Sequence, residues 1–145
     1  MASDETRSAS IAGHLLWGCL AAGGIAVLAA ATWIEPDPRG YGTHTQLGLP
    51  PCGFLALTGF RCPGCGLTTA FAYGIRGEWW LAGTSNPLGL ALFLIVCATI
   101  PISVLAIVRG WSFAAVVDRL SLDRWALATA GYGVVLWVVR FAAAL

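Results

Sequence analysis

Apolar residues are gathered in three long runs, and polar residues occupy the segments between them. The runs extend from about Ile11 to Ile34, from Leu88 to Val108 and from Trp125 to Leu145. Each run has about the 20 residues that a helix needs to cross a bilayer core of about 30 Å. The pattern predicts an all-α membrane protein, with three transmembrane helices in a single integral membrane domain over residues 1–145.

The boundaries of the first two runs carry residues that are typical of helix ends. Glu35-Pro36-Asp37-Pro38 ends the first run, because its prolines remove backbone donors. Asn86-Pro87 forms a regular helix start before the second run, and Pro101 inside that run predicts a kink. A secretory signal has an apolar region of about 7 to 15 residues, so we interpret the longer first run as a retained span.

Small residues recur at every fourth position of the first run, at Gly18, Ala22, Ala26 and Ala30. In a helix they form one stripe, which we call the small-residue stripe, and the backbone of another helix can approach it closely in lipid. The alternative is that alanine is simply abundant in this run.

In the third run, Arg140 is expected to extend its side chain to the headgroup level.

The segment between the first two runs, residues 35–87, is largely apolar, and we call it the connector. Its apolar pieces each have fewer than about ten residues, too few to cross the bilayer, so one or two short interfacial or re-entrant helices are expected. One helix should start just after the cysteine pair. Its apolar face would contain Leu67, Ala70, Phe71, Gly74 and Ile75, with Thr68 and Thr69 off that face. Trp79-Trp80 and the segment from Trp111 to Val117 indicate contact with the membrane surface.

The composition makes lipid the main solvent of this chain. Hydrophobic residues make up 58% of it and charged residues only 10%, against about a quarter in soluble domains. The expected partners are the lipid bilayer and, as candidates, another membrane protein or a second copy of the chain. The eight basic residues are scattered arginines and the net charge is +1, so nothing predicts nucleic-acid binding.

Arg109, Arg119 and Arg124 share one short loop, and positively charged loops tend to lie on the cytoplasmic side of a membrane. This distribution favours the connector on the outer face.

The connector carries the chain's candidate chemistry in Cys52 and the run Cys62-Pro63-Gly64-Cys65. Sulfurs at this spacing have three ordinary uses: a structural disulfide, a zinc site, or a redox pair. A structural disulfide would join Cys52 to one member of the pair. A zinc site would use Cys52, Cys62 and Cys65, with His44 as candidate fourth ligand.

In the redox alternative, Cys62 and Cys65 would be catalytic, as in a membrane-embedded thiol–disulfide oxidoreductase. Against an enzyme, the sequence has no Ser/His/Asp set, no paired carboxylates and no phosphate loop. Cys19 and Cys97 lie within the apolar runs and are expected to be small buried residues. We therefore expect a structural or accessory protein rather than an enzyme, and zinc is its one candidate cofactor.

Several further residues complete a pattern around the cysteines: Cys52-Gly-Phe, Thr58-Gly59, Cys62-Pro63-Gly-Cys65-Gly66-Leu-Thr and Asn86-Pro87-Leu. This pattern, over about residues 50–90, resembles a bacterial membrane-protein family with a CPxCG motif, catalogued as domain of unknown function 2752. The resemblance implies a small multi-span protein of a bacterial cell membrane and supplies no activity. The family pattern commonly has arginine after Leu-Thr, where this chain has Thr69.

Overall fold

The computed structural model describes the backbone of residues 2–142, and their side chains except those of residues 2–10, 120, 122, 123 and 140. Within this part the α-helices are α1 (Ala2–Trp33), α2 (Gly53–Thr58), α3 (Leu67–Gly74), α4 (Trp79–Ser85), α5 (Pro87–Arg109), α6 (Phe113–Leu120) and α7 (Leu122–Ala142). A 3₁₀ turn, Thr43–Leu47, lies between α1 and α2. The described backbone contains no strand, so the predicted all-α class is confirmed.

Among the described residues, two helices are long and apolar enough to cross a membrane. They are Ile11–Trp33 within α1, and α5, which correspond to the first two predicted spans and pack along each other. In α7 the apolar stretch Arg124–Val139 is shorter, so the third predicted span is not confirmed. The Arg140 side chain and residues 143–145, which the sequence analysis included, lie outside the described residues.

The face of α1 that is buried contains Trp17, Ala21 and Ala31. At Gly24 an added Cβ would lie 3.0 Å from the Ile100 side chain, so α1 and α5 approach closely there. The small-residue stripe is not part of this contact, because three of its members, Ala22, Ala26 and Ala30, are exposed. Packing of the stripe against another chain stays a prediction.

The connector folds into more helices than the one or two that were expected. It contains α2, α3, α4 and the 3₁₀ turn, and α3 packs against both α4 and the start of α5. Ala70, Tyr73 and Ala82 form a buried cluster that Leu90 of α5 covers. Glycines at positive φ interrupt the chain: Gly59 ends α2 and Gly66 precedes α3. The connector is therefore a folded cap on the paired ends of α1 and α5.

The predicted helix after the cysteines is confirmed as α3, and Ala70 and Gly74 are buried as expected. The prediction that Thr69 lies off the buried face was wrong. Thr69 is fully buried, and its hydroxyl is satisfied because its Oγ1 lies 2.8 Å from Oγ1 of Thr43, which in turn accepts a hydrogen bond from the backbone N–H of Asp37. This hydroxyl pair joins α3 to the 3₁₀ turn.

Arg76 joins the connector to the C-terminal end of α1. Its guanidinium donates hydrogen bonds to the carbonyl oxygens of Ala31, Thr32 and Ile34, at 2.9 to 3.3 Å, and to Ala72 in α3. The last carbonyls of a helix have no partner within the helix and carry partial negative charge. Arg76 therefore satisfies the C-terminal end of α1 with a cation from the connector.

Candidate functional site

The cysteine pair lies on a tight turn directly before α3. The backbone N–H of Cys65 donates to the carbonyl of Cys62 at 3.0 Å, and Gly66 then adopts φ 90°. A Cβ at position 66 would lie 2.6 Å from the carbonyl oxygen of Gly40 and 2.7 Å from that of Ser85. Glycine is required here both for its backbone conformation and because two other segments of the connector approach its Cα.

Cys52 reaches the pair from the start of α2. It is the N-cap of that helix, and its carbonyl accepts the first intrahelical hydrogen bond, from Ala56. Hydrogen bonds from the backbone, that from Leu55 foremost, lower the pKa of the Cys52 thiol, and the neighbouring sulfurs of Cys62 and Cys65 contribute in the same direction. The surroundings of Cys52 thus favour its thiolate form.

The three sulfurs converge on one point, and we call them the three-cysteine cluster. Sγ of Cys62 lies 3.5 Å from Sγ of Cys52 and 3.3 Å from Sγ of Cys65, and all three lie within 4.8 Å of one another. Zinc with four tetrahedral ligands at about 2.3 Å holds its sulfurs about 3.8 Å apart. The observed separations are close to that value, and the cysteines are free thiols here.

Burial distinguishes Cys65 from the other two members. It is 8% exposed, whereas Cys52 and Cys62 are half-buried. Burial and hydrogen bonds with the two neighbouring sulfurs raise the pKa of the Cys65 thiol to about 12. At neutral pH without a metal, this thiol is protonated beside the more acidic Cys52, and a cation between the sulfurs would favour the thiolate form of all three.

Other predicted site residues lie apart from the sulfurs. His44, the candidate fourth ligand, directs Nε2 to the carbonyl oxygen of Pro50 at 3.2 Å, and among the described residues it is not part of the group that could share one metal ion. Cys19 is exposed on α1, not buried as expected, and Cys97 is half-buried in α5. The structure therefore brings together the three cysteines of the connector and no fourth protein ligand that it describes.

Asn86 holds the cysteine turn against the start of α5. Its side-chain oxygen accepts a hydrogen bond from the backbone N–H of Gly89, which confirms the predicted cap, and Pro87 occupies the first turn of the helix. Its amide nitrogen donates to the carbonyls of Pro63 at 3.1 Å and Cys65 at 3.0 Å. Those two contacts were not predicted, because they join positions more than 20 residues apart.

Thr58 and Gly59 complete the motif at the other side of the cluster. The Thr58 hydroxyl donates to the carbonyl of Phe54 at 2.7 Å and accepts from the N–H of Phe60, and Gly59 ends α2 in a left-handed conformation. Together they reverse the chain between Cys52 and Cys62. The motif residues thus fold the connector so that its sulfurs meet.

A cavity of about 290 Å³ lies beside the cluster, and α7 supplies one of its walls. Cys62 and Cys65 line it, together with Trp137 and Phe141 of α7. The indole N–H of Trp137 donates to the carbonyl of Arg61 at 2.9 Å. The contribution of α7 to the site was not predicted, because an aromatic residue in an apolar run carries no local signal of a contact 76 residues away.

Comparison with known proteins finds a family that shares the cysteine motif, but it assigns no activity to this chain. No curated protein and no solved structure matches the chain significantly. The matched family region begins at Cys52 and ends inside α5, so it contains the three-cysteine cluster, α3, α4 and Asn86. This confirms the resemblance expected from the motif: residues 52–100 match the model of the family described as Protein of unknown function (DUF2752).

Proposed function

We propose that this chain is a membrane protein that binds one zinc ion through Cys52, Cys62 and Cys65. The observation that carries the proposal is the convergence of three sulfurs within 4.8 Å of one another. A disulfide would join two of these sulfurs and leave the third as an unpaired thiol, whereas a metal ion can bind all three. Thiolates are soft ligands that suit Zn²⁺.

The surroundings of the cluster support a metal-binding role. Backbone N–H groups at the start of α2 favour the thiolate of Cys52, and Asn86 fixes the turn that carries the other two sulfurs. Groups that orient the ligands of a metal raise its affinity, because less freedom is lost on binding. We propose a structural or accessory role, in which the metal holds the connector in one conformation.

We further propose three membrane spans in a bacterial cell membrane, with the connector on the outer face. Support for α7 as the third span comes from its direction. It starts after α6, beyond the C-terminal end of α5, and its Gly133 lies so near the first turn of α5 that an added Cβ would be 2.7 Å from Leu88. α7 therefore returns toward the connector beside α5, a helix of 23 residues or about 34 Å.

The zinc proposal is tested by metal analysis of the full chain purified in detergent without chelator. We expect about one zinc per chain in the wild type. The variants Cys52→Ser, Cys62→Ser and Cys65→Ser should each lose the metal. Cys19→Ser and Cys97→Ser are matched controls, since they remove thiols outside the cluster, and they should keep it. Absence of zinc together with a mass two hydrogens below that of the fully reduced chain would indicate a disulfide and overturn the proposal.

Thiol–disulfide exchange is a second candidate, favoured by the opposite directions of two pKa shifts. Cys52 has a lowered pKa and Cys65 a raised one. Exchange proceeds by attack of a thiolate on a disulfide sulfur, so Cys52, with its sulfur 3.5 Å from that of Cys62, is placed to act as the relay for a Cys62–Cys65 redox pair. Titration of the chain in glutathione buffers, followed by alkylation and mass measurement, would test this candidate. A reversible two-electron transition in zinc-free protein supports it, and persistent zinc with three protected thiols argues against it.

The small-residue stripe supports a partner in the membrane, either another protein or a second copy. Ala22 and Ala26 are exposed on α1 and do not take part in its contact with α5. We propose that Ala22→Leu with Ala26→Leu abolishes association on a native gel and leaves the fold intact. Val27→Leu, at another exposed position of the same helix, is the matched control. An unchanged complex in the double variant would eliminate the stripe as an interface.

A further inference from the structure

The cavity beside the three-cysteine cluster reaches the sulfurs directly. Two of its lining residues are Cys62 and Cys65, and its volume is about 290 Å³, near the lower end of the range for small-molecule sites. Phe60, Leu136, Trp137 and Phe141 also line it. The rings of Phe60 and Phe141 have centroids 4.8 Å apart, and those of Trp137 and Phe141 are 5.7 Å apart. One side of the cavity is therefore a group of aromatic rings.

A metal held by the three-cysteine cluster lacks one tetrahedral ligand. The described residues offer no fourth histidine, cysteine or carboxylate ligand atom to the group. Tetrahedral zinc needs four ligands, so a site with three protein ligands is completed by water or by another molecule. Since Cys62 and Cys65 line the cavity, a molecule inside it can approach the sulfurs that would hold the metal.

Charge decides which donor is suited to the fourth position. Three thiolates on a divalent ion already give a net charge of −1, and a fourth anion would add a second negative charge in a cavity lined mainly by apolar residues. Such a charge is costly to remove from water. Arg61 also lines the cavity, but its guanidinium is engaged elsewhere, since it donates to the carbonyl of Arg39 and lies over the ring of Tyr41. A neutral donor adds no charge, and an aromatic nitrogen base combines a nitrogen ligand that zinc accepts with a flat body that packs against aromatic rings.

We infer that this cavity binds a small neutral aromatic nitrogen base of the imidazole type, whose ring nitrogen is the fourth ligand of the metal. The inference rests on the zinc site proposed above. The ring nitrogen would bind the metal through its lone pair in place of a water, with no change of oxidation state and no proton released. The ring lies against Phe60, Trp137 and Phe141.

Cobalt-loaded protein tests the inference, because Co²⁺ occupies zinc sites and its visible spectrum reports the ligand set. The probe is 4-phenylimidazole, titrated into the full chain in detergent. We expect a saturable change in the cobalt bands at one probe per chain. Failure of cobalt to load would overturn both the zinc site and the inference. Cobalt loading without a response to the probe would overturn the inference alone.

Variants of α7 assign the response to the cavity. Leu136→Trp fills the cavity and should weaken probe binding by about tenfold or more, with cobalt loading unchanged. Val134→Trp places the same side chain at an exposed position of the same helix that does not line the cavity, and it should bind like the wild type. Leu136→Ala enlarges the cavity and should bind the probe at least as tightly as the wild type. Equal affinities in all four proteins would contradict the inference.

A histidine from a second copy could supply the same imidazole chemistry. In that case the cobalt spectrum should depend on protein concentration before any probe is added, and it should change when the complex is diluted. The inference of a small-molecule ligand predicts a spectrum that is independent of protein concentration. A concentration-dependent spectrum would therefore reject the small-molecule inference and identify the second copy as the source of the ligand.

Discussion

At the scale of single residues, glycine and asparagine determine where the sulfurs lie. Gly66 allows the cysteine turn to pass between two backbone segments, and Asn86 ties that turn to the start of α5. The sequence predicted the cap at Asn86 because capping is a local arrangement. It did not predict the pairs Asn86–Cys65 or Thr43–Thr69, whose members are 21 and 26 residues apart. Distant hydrogen bonds leave no periodic signal in the chain.

Replacement of Gly66 by alanine tests whether the turn is fixed by its close backbone contacts. The added Cβ would meet two carbonyl oxygens at 2.6 and 2.7 Å, in a backbone with φ 90°. We expect a loss of about 2 kcal/mol or more of unfolding free energy and a lower zinc content. Thermal unfolding in detergent, with metal analysis, measures both.

Gly64→Ala is the control for this change within the same turn. Its Cβ would meet Leu67 at 3.5 Å and Sγ of Cys62 at 3.9 Å, which are ordinary contacts. This variant should unfold close to the wild-type temperature. Equal stability of the two variants would show that the close approach at Gly66 does not restrict the turn.

The raised pKa of Cys65 predicts a loss of stability at high pH in the metal-free protein. Its folded pKa is about 12, against an ordinary value of 9.0. The folded state therefore keeps a proton that the unfolded state releases, and stability falls as the pH rises between about 9 and 12. Denaturant unfolding at several pH values measures the effect, and Cys65→Ser should remove this part of the pH dependence.

The Cys52 thiol should respond in the opposite direction. Because its folded pKa is lowered by backbone hydrogen bonds, its thiolate stabilises the fold above the ordinary thiol pKa, and this contribution is lost as the pH falls through the folded pKa. In zinc-free protein, iodoacetamide should modify Cys52 at lower pH than Cys65. Peptide mass analysis identifies the order, and preferential modification of Cys65 would contradict the assignment.

At the scale of elements, helix ends were predictable and helix faces were less so. Asn86-Pro87 and the turn before Leu67 predicted the starts of α5 and α3 to within one residue, since proline, glycine and capping residues act locally. The buried face of α1 was not the small-residue stripe, because Trp17 contacts Phe113 and donates to the carbonyl of Trp111. The contacts of Trp17 with Phe113 and Trp111 thus help to fix which face of α1 is buried. The sequence of α1 alone does not indicate which face that is.

Arg76 offers an element-scale test, since it joins α3 to the end of α1. Arg76→Lys keeps the charge but cannot reproduce hydrogen bonds to four carbonyls. We expect about 1 to 3 kcal/mol of lost stability and easier proteolysis between α1 and the connector. Arg109→Lys is the matched control, because Arg109 is exposed at the far end of α5 and should tolerate the change. Equal protease sensitivity in both variants would exclude this role of Arg76.

At the scale of the whole molecule, the cap formed by the connector and the direction of α7 are linked. Trp137 of α7 bonds to the connector at Arg61, and Phe60 of the connector packs on Phe141. The chain leaves α5 at Gly110, far from the connector, and α7 returns to it. Apolar periodicity predicted the helix but could not determine its path, because an apolar stretch of 16 residues is compatible with a short span in a locally thinned bilayer or with a surface helix.

Reporter fusions distinguish these paths, and they test the orientation at the same time. Alkaline phosphatase needs disulfides, so it is active only in the oxidising compartment outside the cytoplasm. With three spans and the connector outside, fusions after Gly48 and after Leu145 should be active, and a fusion after Gly110 should be inactive. If α7 lies on the inner surface, the fusion after Leu145 is inactive like that after Gly110. The inverted orientation reverses all three results. An inner-surface α7 would also be separated by the bilayer from Arg61, so fusions that are inactive after both Gly110 and Leu145 would contradict the cavity wall as well as the third span.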